Sequence, residues 1–130
     1  MRVLLVEDDA VSRRLVRSWL EKWGHEVTEA EDGAAAWERF SAGEFPVVVS
    51  DWMMPEMDGV DLVRKIRAAG SAGYVYVILI TARTEPADVA EGVEAGADEF
   101  VRKPVDRDDL RAKLWEAERV VRLQEELKGG

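Results

Sequence analysis

Four short strand-like runs in this chain each stop at a side chain that could do chemistry. Val3-Leu4-Leu5-Val6 stops at Glu7-Asp8-Asp9, Val47-Val48-Val49-Ser50 at Asp51, Tyr76 to Ile80 at Thr81, and Glu99 to Arg102 at Lys103. Runs of Val, Ile and Leu read as buried strands. In an open parallel sheet, residues just past the carboxyl ends of the strands converge on the edge where ligands bind. Asp8, Asp9 and Asp51 would then share a cleft, and their repulsion raises their pKa values unless a cation enters. Oxygen donors without imidazole or thiol select a hard ion, and a few carboxylates plus water suit Mg²⁺. Thr81 adds a hydroxyl, and Lys103 a mobile point charge suited to a phosphoryl group. Together these are parts for phosphoryl transfer: a metal, a cationic clamp, a donor and a carboxylate nucleophile.

Taken singly, each residue has a plainer use. Asp8 and Asp9 suit the cap and dipole of a first helix, Asp51 the start of a loop, Thr81 a turn, and Lys103 a solvated strand end. Their position at the ends of four different strands is what favours a shared site.

The elements that must position them follow from periodicity. A first helix is expected from about Ala10 to Trp23, with Val11, Leu15, Val16, Trp19, Leu20 and Trp23 as one apolar stripe. Gly24 stops it, and Glu26 to Ala30 is a second strand. Asp32-Gly33 turns into a short helix, Ala34 to Phe40. After the strand Val47 to Ser50, Pro55 forbids a continuing ladder and Asp58-Gly59 turns into a helix from about Val60 to Ala69. Gly70 to Gly73 is a loop of small residues, and Pro86 suits the first turn of a fourth helix ending near Ala95. That helix has few large apolar residues and should be weakly held. Asp106 caps a last helix from Arg107 to about Leu127. Strand and helix alternate five times, which implies an α/β, doubly wound parallel sheet with helices on both faces. Right-handed crossovers leave few topologies for five strands, of which the order 2-1-3-4-5, the flavodoxin-like arrangement, is the commonest.

Composition narrows the function classes. The 130 residues suffice for one core. The absence of cysteine excludes a thiolate metal site, a thiol nucleophile and disulfides. A net charge of -9 disfavours direct nucleic-acid binding by this domain. The longest apolar run, Tyr74 to Ile80, is too short to span a bilayer, and residues 1–6 lack the apolar region of a signal peptide. The expected setting is the cytoplasm, with no membrane partner. His25, the only histidine, lies in a Gly-His-Glu turn and reads as structural, so a histidine phosphodonor must come from another protein.

Five separated motifs agree on a family. Val3-Leu4-Leu5-Val6-Glu7-Asp8-Asp9, Asp51-Trp52-Met53-Met54-Pro55-Glu56-Met57-Asp58-Gly59, Thr81-Ala82, Gly96-Ala97-Asp98-Glu99-Phe100 and Lys103-Pro104 resemble a response-regulator receiver domain of bacterial two-component signalling. The resemblance covers residues 2 to about 119. It implies that Asp51 is the phosphoacceptor, that Asp8, Asp9 and the backbone carbonyl of Met53 join Asp51 in holding Mg²⁺, and that Thr81 and Lys103 contact the phosphoryl oxygens. It further implies that Thr81 and Phe100 form the switch and that Lys103-Pro104 is a cis peptide. A sensor histidine kinase or histidine phosphotransfer protein would be the donor, and the surface of the fourth helix, fifth strand and last helix the output face. Phe100 has no hydroxyl, so its rotamers differ only in packing. Arg83, at a variable position beside the cleft, is expected to be solvated, and Trp52 partly exposed beside the site. Residues 1–119 make the domain. Residues 120–130, where Val120-Val121, Leu123 and Leu127 continue an apolar pattern, read as a helical extension or a linker to an output module. Two readings stand for this end: a homodimer contact, through it or the output face, and a frayed, solvated tail.

Other functions fit less well. A hydrolase using an aspartyl-phosphate usually carries a second acid two residues past the nucleophile, where this chain has Met53. A flavin carrier needs a Ser/Thr/Gly-rich phosphate loop after the first strand, and Glu7-Asp8-Asp9 would repel the phosphate. A phosphorylation-independent adaptor of receiver fold is the alternative kept, although the full acid, Thr and Lys set argues against it.

Overall fold

The computed structural model describes residues 1–70 and 73–129. Its strands are β1 (Arg2–Val6), β2 (Glu26–Ala30), β3 (Val47–Asp51), β4 (Tyr76–Thr81) and β5 (Glu99–Arg102). The helices between and after them are α1 (Ala10–Lys22), α2 (Gly33–Ala42), α3 (Gly59–Ala68), α4 (Pro86–Ala95) and α5 (Arg107–Gly129). The sheet is wholly parallel in the order β2-β1-β3-β4-β5, the architecture expected from the alternation of elements. Ser71 and Ala72, in the small-residue loop, lie outside the described residues.

Side chains alternate across each strand, and this divides the core in two. Leu4, Val6, Val48, Val77 and Leu79 face the layer that includes α2 and α3. Val3, Leu5, Val47, Val49, Ile78 and Ile80 face α1 and α5, where Leu110, Leu114, Ala117 and Val121 pack. Every residue of β3 is buried, so Asp51 is fixed at the centre of the sheet. Capping aspartates start four helices: Asp9 accepts from the Ser12 N–H, Asp32 from Ala35, Asp58 from Asp61, and Asp106 from Asp108 and Asp109. α4 starts instead with Pro86 and no side-chain cap, and buries only Gly92 and Ala95.

The apolar stripe of α1 is narrower than its sequence suggests. Only Val16 and Leu20 are buried; Val11 is 74% and Leu15 49% exposed. The six apolar positions span about half the helix circumference at 3.6 residues per turn, more than a sheet face can cover. At the open edge of β5 both polar backbone groups of Phe100 are held by side chains. Its N–H donates to Glu99 Oε1 at 3.0 Å, and its carbonyl accepts from Lys113 Nζ at 2.6 Å.

Candidate functional site

β1, β3, β4 and β5 deliver Glu7-Asp8, Asp51, Thr81 and Lys103 to the carboxyl edge of the sheet. Asp51 is buried at the end of β3, and Lys103 reaches across from β5 to place Nζ 2.9 Å from its Oδ1. The same ammonium lies 4.0 Å from Glu7 Oε2. Carboxylate oxygens of Glu7, Asp8 and Asp51 all lie within 4.8 Å of one another. Thr81 is buried beside them, its Oγ1 accepting from the Arg83 N–H at 2.8 Å. The Lys103–Pro104 peptide is cis.

The carboxylate cluster differs by one residue from the one expected. Glu7, not Asp9, joins Asp8 and Asp51. The reason lies in helix capping. α1 starts at Ala10, so Asp9 is its N-cap and turns its carboxylate to the Ser12 N–H, 2.8 Å away. The Ser12 hydroxyl, and then its N–H, hold the Asp9 carboxyl below its ordinary pKa. Glu7 follows directly on the buried end of β1 and is itself buried. The spacing carried the signal: an Asp directly before the first helical residue, with Ser three places on, was already committed as a cap.

The electrostatics are those of a crowded acidic cleft. Burial pushes Glu7 up to about 7, helped by the charge of Asp51 and opposed by its hydrogen bond from the Asp9 N–H and by Lys103. Burial also raises Asp51, against the hydrogen bond and charge of Lys103, which lower it. Burial pulls Lys103 down, but Asp51, Glu7 and Asp8 outweigh it and hold the ammonium above its ordinary value. Two raised carboxyls and a third acid at one point form a hard-oxygen donor set that lacks positive charge. A divalent cation would relieve that imbalance.

Two neighbours of the site also depart from expectation. Trp52 is 0% exposed rather than partly exposed, because the chain after β3 turns inward and its ring stacks on Phe100 at 6.4 Å between centroids. Its indole N–H finds no acceptor among the described residues. Arg83 is not simply solvated. Its guanidinium lies 4.8 Å from the Trp52 ring centroid, 2.8 Å from Asp88 Oδ1 on α4 and 3.7 Å from Met53 Sδ. Stacking on an aromatic face and pairing with Asp88 together outcompete hydration. The Met53 side chain is exposed at the rim. Phe100 packs against Gly92 of α4, where an added Cβ would fall 2.7 Å from its ring. His25 is buried, with Nε2 3.3 Å from Glu118 and Nδ1 3.3 Å from the Met1 amino group, far from a donor role.

Known proteins share this fold. Residues 3–115 match the family described as the response regulator receiver domain. The chain belongs to that family. It is 38% identical over 116 residues to the chemotaxis protein CheY1 of Helicobacter pylori, covering 88% of this chain and 94% of that protein. It is 35% identical over 116 residues to a CheY homologue of Campylobacter jejuni, covering 88% and 89%. Among solved structures, chemotaxis protein CheY4 of Vibrio cholerae superposes with a TM-score of 0.84 at 30% identity, covering 89% of this chain and 97% of the other. The receiver domain of a Pseudomonas aeruginosa sensor histidine kinase superposes with a TM-score of 0.80 at 29% identity, covering 88% and 94%. In that structure a magnesium ion is coordinated in the active-site cleft. As a receiver domain, this chain is a signalling protein of two-component type rather than a classical enzyme. Among the described residues, no helix is long and apolar enough to cross a membrane.

Proposed function

We propose that this receiver is a phosphorylation-controlled switch that accepts a phosphoryl group on Asp51 from a histidine kinase or phosphotransfer protein. The observation that carries the reading is the buried Asp51 carboxylate with Lys103 Nζ at 2.9 Å and two further acids within 4.8 Å. A carboxylate oxygen of Asp51 attacks phosphorus as the bond from phosphorus to the donor's imidazole nitrogen, or to acetate, breaks. The leaving group keeps the electron pair, and an imidazole then takes a proton. Asp8 and Asp51 would hold Mg²⁺ with the Met53 carbonyl, and Glu7 beside them. Asp9, assigned to this set by resemblance, would contribute by fixing the loop as the α1 cap. A bound Mg²⁺ supplies charge neutralisation on the phosphoryl oxygens. Lys103 orients the attacking carboxylate and then pairs with a phosphoryl oxygen.

The product adds about -1.5 to -2 charges, as for phosphorylated side chains generally. Thr81 would turn its hydroxyl from the Arg83 N–H toward the new group, and Phe100 would fill the vacated space beside Gly92. That repacking changes the α4, β5 and α5 surface that a target or partner reads. The donor docks beside the cleft, where Leu15, Trp19 and Val105 line a groove of about 490 Å³ shared with Glu7 and Lys103. A cytoplasmic setting, and a homodimer through the output face or the end of α5, complete the reading. Residues 120–130 would act as a helical extension or linker to an output module.

The test is labelling with acetyl phosphate and Mg²⁺, followed by intact mass and hydroxylamine sensitivity. Asp51→Asn is expected to abolish the labile adduct. Full labelling of that variant would remove the assignment, and failure of the wild type to label at all would favour a phosphorylation-independent adaptor.

A further inference from the structure

The bend that carries Asp8 is held at its other polar groups. The Glu7 N–H donates to the Ala30 carbonyl at 3.1 Å, and the Asp9 N–H to Glu7 Oε1 at 3.1 Å. The Asp9 carbonyl accepts from the Arg13 N–H at 2.9 Å, while the Asp9 carboxylate caps Ser12. The carbonyl of Glu7 forms the peptide leading to Asp8. It accepts from Arg13 Nη1 at 2.7 Å, so Arg13 holds the bend twice, through its backbone and through its guanidinium. The Arg13 side chain is itself mostly buried, 19% exposed, with Nε 4.0 Å from Glu29 Oε2 on β2. Arg17, one turn on, pairs with the same Glu29 at 3.2 Å and with Glu21 at 3.1 Å.

A guanidinium at this place has two effects. It satisfies a part-buried carbonyl that would otherwise lose a charge-assisted hydrogen bond. It also fixes the Glu7–Asp8 peptide plane, and with it the direction in which the Asp8 carboxylate leaves the backbone. Asp8 is exposed, and its side-chain contact is with the carboxyl of Glu7 on the same bend, so its aim comes from that bend.

We propose that Arg13 is a positioning residue of the acidic site: its hold on the Glu7 carbonyl aims Asp8 at Asp51 and preforms the Mg²⁺ site. This rests on the metal reading above. A loose bend would have to be ordered by the ion itself, and that ordering cost lowers affinity without removing any ligand.

The test is calorimetric titration of the intact chain with Mg²⁺, with thermal unfolding in Mg²⁺-free buffer run beside it. Arg13→Ala is expected to weaken Mg²⁺ binding about 10-fold, the scale typical for lost outer-shell partners of a metal site. Arg13→Lys, which keeps a donor, is expected to recover part of the loss. Arg17→Ala removes the neighbouring pair to Glu29 without touching the bend and should bind Mg²⁺ as the wild type does. Equal affinities for wild type and Arg13→Ala would overturn the inference. So would equal weakening in Arg13→Ala and Arg17→Ala, since that marks a general loss of α1 packing. If Arg13→Ala does not fold, Arg13→Met, which keeps the stem but no donor, decides beside Arg13→Lys: wild-type affinity in the Met variant overturns the inference. A wild type that takes no Mg²⁺ overturns the metal reading and this inference together, whereas a binding wild type with an indifferent Arg13 overturns this one alone.

Discussion

Lys103 Nζ sits 2.9 Å from Asp51 Oδ1, joining the outermost strand β5 to the central strand β3 across β4. The contact places a cationic side chain directly on the carboxylate proposed to react. Lys103→Met is expected to slow labelling of Asp51 by acetyl phosphate about 10-fold or more, or at least about 1.4 kcal/mol of transition-state stabilisation. Stopped-flow labelling at saturating Mg²⁺ measures it, and an unchanged rate would remove Lys103 from the reaction.

Glu7 gives the apo protein a distinctive pH dependence. Its carboxyl titrates near 7 in the fold against an ordinary 4.5. Between those values the folded state holds a proton that the unfolded state has released, so stability falls as pH rises through the window. Glu7→Gln is expected to raise apo stability by about 1–3 kcal/mol at pH 8 and to change little at pH 4. Urea unfolding in Mg²⁺-free buffer at both pH values checks this. A Gln variant less stable than the wild type at pH 8 would contradict the crowded-cleft electrostatics.

His25 adds the opposite slope. Burial and the nearby Met1 amino group lower its pKa, against the pull of Glu118. The unfolded chain therefore binds the proton first, and this contribution to stability is present above about 6.5 and lost as pH falls below it. His25→Gln is expected to flatten the unfolding free energy below that pH. A slope retained by the variant would place its origin elsewhere.

Gly59 allows the loop after β3 to fold back onto the nucleophile's own backbone. A Cβ there would lie 2.5 Å from the Asp51 carbonyl oxygen and 2.9 Å from Trp52 Cα. Gly59→Ala is expected to cost about 1–3 kcal/mol, the range for overpacking a rigid site, and to slow labelling because the shift falls on Asp51. Unfolding and labelling measured together test the coupling; a fully stable, fully active alanine variant would break it.

The end of α5 exposes Leu123 and Leu127 on a helix whose inner face is already used by Leu114, Ala117 and Val121. Sedimentation is expected to show a weak dimer strengthened by a beryllofluoride phosphoryl mimic. The double substitution Leu123→Glu with Leu127→Glu should abolish it. A chain that is monomeric with and without the mimic would end the proposal of dimer signalling through this helix.

The middle of the sheet was legible because β1, β3 and β4 are runs of Val, Leu and Ile, as buried parallel strands are. That Asp51, Thr81 and Lys103 end at the sheet's carboxyl edge was legible because each lies at or just past the end of a strand. Glu7 was not, because three consecutive acids offer two overlapping pairs and only the start of α1 decides between them. Trp52 was misjudged as well: its neighbour Asp51 faces a cleft, but an adjacent residue leaving a strand faces the other way, here into the core against Phe100. Arg83 needed a partner five residues on, Asp88, which becomes adjacent only when α4 is placed. Gly59 was read as a turn residue, whereas its close approach to Asp51 is a tertiary fact no local pattern contains.

The capping of Phe100 by Glu99 and Lys113 has a consequence for how such molecules coexist. The outer border of a sheet is ordinarily an invitation to any extended chain, which can dock by hydrogen bonding to its unpaired peptides. Here the peptide groups of Phe100, the residue proposed to turn in the switch, are occupied from within. A stray strand cannot zip onto the molecule at that point without first evicting a lysine and a glutamate. At Phe100, recognition by a partner of the proposed switch would be by side-chain texture, which one turning ring could rewrite. It cannot rest on backbone pairing, which would hold fast regardless of state.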